Sequence, residues 1–156
     1  MQNTTVSSES VRQTIKIGQI IGTNLKGGEL IVLKSDLGSG KTTFIKGLAK
    51  GAGCLELVSS PSFTICNEYQ AKNFKIYHFD FYRLNDPGIN QFELAEVING
   101  QDVVAIEWPE AIENTLPNKQ VIITITPNAD NERLFNIQYS KELKYLLKGT
   151  NDYFVY

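Results

Sequence analysis

From Val11 onward apolar residues recur at helical spacing, at Ile15, Gly18, Ile21 and Leu25, with Ser7 and Ser8 as candidate caps in front. Gly27-Gly28 ends that helix, and residues 29–34 read as a strand around the apolar run Leu30-Ile31-Val32-Leu33. Phe44, Ile45, Leu48, Ala49 and Ala52 give the next helix an apolar face, with Gly51 and Gly53 bracketing its end. Residues 63–69 and 74–82 read as two strands joined by a turn at 70–73. Residues 91–98 predict a short helix. Val103-Val104-Ala105-Ile106 is a continuous apolar run, as expected of a strand buried on both faces. It ends at Glu107-Trp108-Pro109, and Pro109 suits the first turn of another helix. Residues 120–126 and 133–139 predict a hairpin, and 141–148 a closing helix. Strand–helix–strand units alongside hairpins predict an α/β sandwich whose sheet is partly parallel and partly antiparallel.

The loop behind the first strand carries the chemistry. Residues 35–43 read S-D-L-G-S-G-K-T-T, a near match to the phosphate-binding P-loop. Such a loop wraps a polyphosphate with inward-pointing backbone N–H groups. Gly38 and Gly40 permit the close approach and the unusual dihedrals, with Ser39 between them. Lys41 places a cation against the β- and γ-phosphates, and Thr42, followed by Thr43, offers a hydroxyl to Mg²⁺. The helix that starts near Lys41 aims its positive end at the anion. Ser35 stands where the motif has its first glycine. The loop specifies the fold class further, as a P-loop NTPase-like three-layer sandwich with a mixed sheet.

Composition narrows the function classes. The 156 residues suit one domain with a real core, here read as a single P-loop domain over residues 1–156. Fifteen Lys and Arg against 17 Asp and Glu give a net charge of −2, so bulk charge makes no case for a strong, autonomous nucleic-acid binder. Cys54 and Cys66 match neither a zinc site nor a disulfide scaffold and read as two reduced thiols of a cytosolic protein. The polar N-terminus predicts no signal peptide, and no apolar stretch approaches membrane-spanning length.

A P-loop needs a carboxylate to complete a metal site, and two residues qualify. Asp80 ends the strand Ile76-Tyr77-His78-Phe79, and Glu107 ends the strand 103–106. Ligands of open α/β sheets gather at such carboxyl ends. Either acid could bind Mg²⁺ or position the attacking water. His78 shares a face with Asp80 and reads as a packed or hydrogen-bonded neutral histidine rather than a general base. Trp108 reads as packing beside the site. Arg83 suits a phosphate or an acid equally. Residues 60–64, S-P-S-F-T, read either as a nucleotide-sensing segment or as an ordinary loop leading into a strand.

With S-D-L-G-S-G-K-T-T-F, S-P-S-F-T-I-C-N-E-Y, Y-H-F-D-F-Y-R-L and I-E-W-P-E in this order, the chain resembles the bacterial TsaE family. That family is the small ATPase of the machinery making threonylcarbamoyladenosine in tRNA. The resemblance spans about residues 14–133. It implies that Thr14 contacts the nucleotide from the first helix, that Gly38 to Thr43 hold the phosphates of ATP, and that Thr42 and Glu107 hold Mg²⁺. It also implies Asp80 as a second acid needed for hydrolysis, Arg133 beside the nucleotide, and a switch-like loop at 60–64. Ser62 replaces a usual threonine and keeps its hydroxyl. The implied partner is a TsaD–TsaB type complex, with tRNA reached only through it and no membrane. A small-molecule kinase and a non-catalytic nucleotide sensor are the alternatives on the same fold.

Overall fold

The computed structural model describes residues 1–36, 38–56, 58, 59, 66–82 and 88–155, with backbone alone at 88–91 and 111. The strands are β1 (Gln2–Ser8), β2 (Leu30–Lys34), β3 (Cys66–Gln70), β4 (Lys75–Asp80), β5 (Val103–Glu107), β6 (Val121–Pro127) and β7 (Arg133–Tyr139). They form one seven-stranded sheet ordered β1-β7-β6-β2-β5-β4-β3. The middle four, β6, β2, β5 and β4, run parallel. Antiparallel β7 and β1 extend one side and antiparallel β3 the other. The mixed sheet is therefore parallel where it is buried and antiparallel toward its edges, the usual division between the two ladder types. All four residues of Leu30–Leu33 and all five of β5 are buried.

Helices α1 (Val11–Thr23) and α2 (Lys41–Gly51) cover one face. Ile17, Ile21, Phe44, Ile45 and Leu48 pack there against Ile31, Leu33, Val103, Ala105 and Ile123. The opposite face is thinner. Leu30, Val32, Val104 and Ile106 meet Phe79, Phe81, Ile112 and Leu94, the last from α3 (Gly88–Val97). Two core layers around one sheet give the three-layer α/β architecture expected from the sequence.

The two large helices run parallel and touch backbone to backbone. A β-carbon on Gly18 would lie 2.4 Å from the Phe44 carbonyl oxygen, and one on Gly22 would lie 2.1 Å from that of Leu48. Reciprocally, Gly47 faces the Ile15 carbonyl and Gly51 that of Gln19, each at 2.1 Å. Each helix thus contributes two glycines four residues apart, the spacing that brings helix backbones into contact. Because the helices are parallel, their N-termini emerge together at the loop after β2.

Several elements differ from the sequence expectation. Ser7 and Ser8 belong to β1, and the cap of α1 is Ser10, whose hydroxyl accepts from the Gln13 amide. The sequence Q-N-T-T-V-S-S has no run of apolar residues to announce a strand, and its pairing with β7 makes it one. The tail runs back beside it: Phe154 bridges Val6, and the Val155 amide donates to the Thr5 carbonyl at 2.9 Å. Residues 141–147 form 3₁₀ turns rather than an α-helix, although Leu143, Leu146 and Leu147 are buried as that reading requires. Pro109 opens a 3₁₀ turn, Pro109–Ala111. Of the strand expected at 63–69, Cys66–Gln70 is seen, and 63–65 lie outside the described residues. Cys54 and Cys66 are free, and burial pushes their thiols up to about 11 and about 12. Among the described residues no helix is long and apolar enough to cross a membrane.

Candidate nucleotide site

The loop between β2 and α2 adopts the backbone that its glycines allow. Gly38 has φ 72° and Gly40, the cap of α2, has φ 105°. A β-carbon at either would meet nothing within 4 Å, so the dihedral, and not crowding, demands glycine. The α2 N-terminus opens onto a cavity of about 260 Å³ lined by residues 38–43 with Asp80, Glu107 and Trp108. The structure thus gathers Gly38, Ser39, Gly40, Lys41, Thr42, Thr43 and both candidate acids at one site. Asp80 and Glu107 stand side by side because β4 pairs with β5 in that register.

An adjoining cavity of about 130 Å³ shares Gly38, Gly40 and Thr43 and adds Val11, Thr14, Asn131 and Arg133. Thr14 and Arg133, expected beside a nucleotide, line this second space. Thr14 is buried and shares a 2.8 Å hydrogen bond with Ser8. Arg133 Nε donates to the Ser39 carbonyl at 3.1 Å, and Nη1 donates to those of Glu132 and Asp130. That guanidinium ties the β6–β7 hairpin to the glycine-rich loop.

Lys41 is 6% exposed. Its ammonium donates to the carbonyls of Asp36 (2.8 Å) and Ser35 (3.1 Å). Burial lowers its pKa, while Glu107, then Asp80, Asp36 and Glu110, favour the charged form. It also lies 4.4 Å from the centroid of the Trp108 ring. Trp108 is more than packing. It takes φ 57° and ψ 64°, a left-handed conformation in which a bulky residue is an outlier, directly before Pro109. That turn lays the indole over Lys41 and against Tyr82, centroids 4.8 Å apart. Asp80 Oδ1 accepts from the Tyr82 amide at 2.9 Å. Ser35 puts a hydroxyl where the motif has glycine and donates it to the Ile125 carbonyl on β6. Arg83 and residues 60–64 lie outside the described residues.

His78 is fully buried, with Nε2 2.7 Å from Glu107 Oε2. The hydrogen-bonded reading of its sequence position holds. The sequence reading named Glu107 but not its pairing with His78, and it missed the ring of Trp108 over Lys41 and Tyr69 behind the imidazole. The two-residue alternation of β4 was a signal for the first once its register with β5 is known. The left-handed turn at Trp108 left no signal beyond the proline after it.

The family profile described as "Threonylcarbamoyl adenosine biosynthesis protein TsaE" matches residues 8–135. The chain belongs to the TsaE family. The Bacillus subtilis tRNA threonylcarbamoyladenosine biosynthesis protein TsaE is 40% identical over 121 residues, 78% of this chain and 76% of that protein. The TsaE of Treponema pallidum is 36% identical over 127 residues, covering 81% and 93%. Among solved structures, that of Bacillus subtilis YdiB superposes with a TM-score of 0.81 at 30% identity, covering 97% of this chain and 95% of that one. The TsaE match spans both cavities through Arg133 and stops before the 3₁₀ turns at 141–147.

Proposed function

We propose that the chain is a Mg²⁺-dependent ATPase of tRNA threonylcarbamoyladenosine biosynthesis. In this reading it drives turnover of a TsaD–TsaB type complex, acts in the cytosol, and meets tRNA only through that complex. The observation that carries the reading is the convergence of Lys41, Thr42, Asp80 and Glu107 on one cavity at the N-terminus of α2.

The donors fit the ion. Thr42, Asp80 and Glu107 offer hard oxygens at the cavity. Such a set suits Mg²⁺, which takes one or two carboxylates and completes its shell with phosphate oxygens and water. Thr42 and Glu107 would hold Mg²⁺, which would supply positive charge to offset that of the phosphates. The loop amides and the α2 N-terminus bind the phosphates. Lys41 exchanges its carbonyl partners for phosphate oxygens and stabilises charge as the γ-phosphoryl group departs. Asp80, one oxygen of which the Tyr82 amide fixes, accepts a hydrogen bond from the attacking water and so orients it.

Phosphate release tests the reading, measured with and without Mg²⁺ and with and without a purified TsaD–TsaB type complex. The expected result is slow, Mg²⁺-dependent hydrolysis by the chain alone, weak tRNA binding, and a rate that the complex changes. Label from γ-phosphate appearing on a small acceptor would replace the ATPase by a kinase.

A further inference from the structure

Behind Glu107 runs a buried chain of polar groups that phosphate binding does not use. His78 Nε2 lies 2.7 Å from Glu107 Oε2. On the far side of the imidazole, Nδ1 lies 3.4 Å from the Tyr69 hydroxyl. That hydroxyl is 3.0 Å from the Ser59 carbonyl. Asn67 Nδ2 donates to the same carbonyl at 3.2 Å and approaches the hydroxyl at 3.4 Å. The histidine is fully buried, and Tyr69 is 4% exposed.

A carboxylate oxygen accepts, so Nε2 donates to Glu107, and in the tautomer that carries its single ring proton there Nδ1 is an acceptor. Tyr69 then has one proton and two acceptors, Nδ1 and the Ser59 carbonyl. Asn67 already serves that carbonyl, so the hydroxyl can turn to His78 without orphaning it. Glu107 Oε2 is held from the protein side, and Oε1 is the oxygen left for a ligand. Residues that orient a metal-binding group in this way set its affinity without touching the metal.

We propose that His78, backed by Tyr69, is a positioning residue that fixes one oxygen of Glu107 and aims the other into the cavity. The inference rests on the ATPase reading for what Glu107 binds, but the chain of hydrogen bonds can be tested without nucleotide. The protein has one histidine and one tryptophan, so each gives an unambiguous signal. Nitrogen NMR of labelled histidine is expected to show a protonated Nε2 and a bare Nδ1. Glu107→Gln should move the Nε2–H resonance, and Tyr69→Phe the Nδ1 resonance. The opposite tautomer, or indifference to both substitutions, overturns the proposal.

Trp108 fluorescence then reads the consequence in a titration of Mg²⁺ at fixed ATP. His78→Asn, whose amide is too short to reach Glu107, should raise the Mg²⁺ needed for half response by about tenfold or more. His78→Gln, whose amide nitrogen can stand in for Nε2, should restore most of that response. In a Glu107→Gln background His78→Asn should add nothing, as expected of residues acting as a unit. Equal damage from Asn and Gln, or an undiminished effect in that background, reduces His78 to packing and overturns the proposal. A wild-type protein whose fluorescence ignores ATP and Mg²⁺ overturns the nucleotide reading instead, and the NMR experiment decides the hydrogen-bond chain by itself.

Discussion

Glu29 and Glu107 are both 3% exposed, and they occupy opposite ends of the buried middle of the sheet. Glu29 precedes β2, and Glu107 closes β5. Their surroundings differ in what remains available. Glu29 accepts from the Lys26 amide (2.7 Å), the Gly27 amide (2.8 Å) and the Tyr145 hydroxyl (2.7 Å). Two backbone donors and a phenol compensate its burial, and they close the turn before β2 onto the 3₁₀ turns at 141–147. Tyr145 is held protonated by burial and by that carboxylate, its pKa well above the ordinary phenol value. Glu107 has His78 on one oxygen, a lysine in its field, and a cavity in front. A buried carboxylate needs partners. Where the fold supplies all of them the group is structural, and where lone pairs face a cavity it is a site for a ligand.

The contrast is sharpest at Lys41, the cation at the Glu107 end. Lys41→Ala should abolish ATP hydrolysis in a phosphate-release assay, since losing charge stabilisation of about 3 kcal/mol or more costs at least about 100-fold in rate. A mutant turning over at the wild-type rate would remove the chemical role from that end of the sheet. Next, Glu107→Gln should weaken Mg²⁺-dependent hydrolysis by about 10- to 100-fold while affecting Mg²⁺-free nucleotide binding much less. Calorimetry with and without Mg²⁺ separates the two, and equal Mg²⁺ response with unchanged turnover would transfer the role to Asp80.

Glu29→Gln should do the reverse. One amide N–H would face a backbone donor, costing about 2 kcal/mol of unfolding free energy in a denaturant titration while leaving the Mg²⁺ response intact. Loss of MgATP affinity in a folded Glu29→Gln protein would dissolve the distinction between the two acids. Tyr145→Phe should cost less, about 1 kcal/mol, because the two backbone donors to Glu29 remain. Ser35→Gly should be smallest. It deletes the neutral hydrogen bond to Ile125, worth about 0.5 kcal/mol of stability. A gain in ATP affinity beyond about tenfold, or 1.4 kcal/mol, would make Ser35 a functional departure from the motif.

The parts of the fold legible in the sequence are those where one physical signal dominates. β2 and β5 are runs of apolar residues, α1 and α2 carry a 3.6-residue period, and the loop at 35–43 has a motif with a mechanism. β1 was invisible because a polar edge strand owes its existence to backbone pairing with β7, which no local pattern encodes. The turns at 141–147 kept the apolar spacing of a helix while adopting the tighter winding. Asp80 and Glu107 could be gathered from strand ends and residues 38–43 from the motif, while Thr14 and Arg133 came only with the family resemblance. Their supports could not: the pairing of His78 with Glu107 depends on the β4–β5 register, and the placement of Trp108 on a strained dihedral. The glycine contact was partly readable, since Gly18 and Gly22 match the spacing of Gly47 and Gly51, yet the sequence pattern does not say which helices meet.

That contact makes the distance between Thr14 and Lys41 a fixed dimension of the molecule. Where side chains space two helices, drift in sequence can change the gap by small steps, one methyl group at a time. Here main chain rests on main chain, and the first atom added at Gly22 or Gly51 already collides with a carbonyl oxygen. The rest of the core can exchange volume for volume while the two helix N-termini keep their separation. The mouth of the candidate site is thus gauged by four residues that lie away from it and carry no side chain.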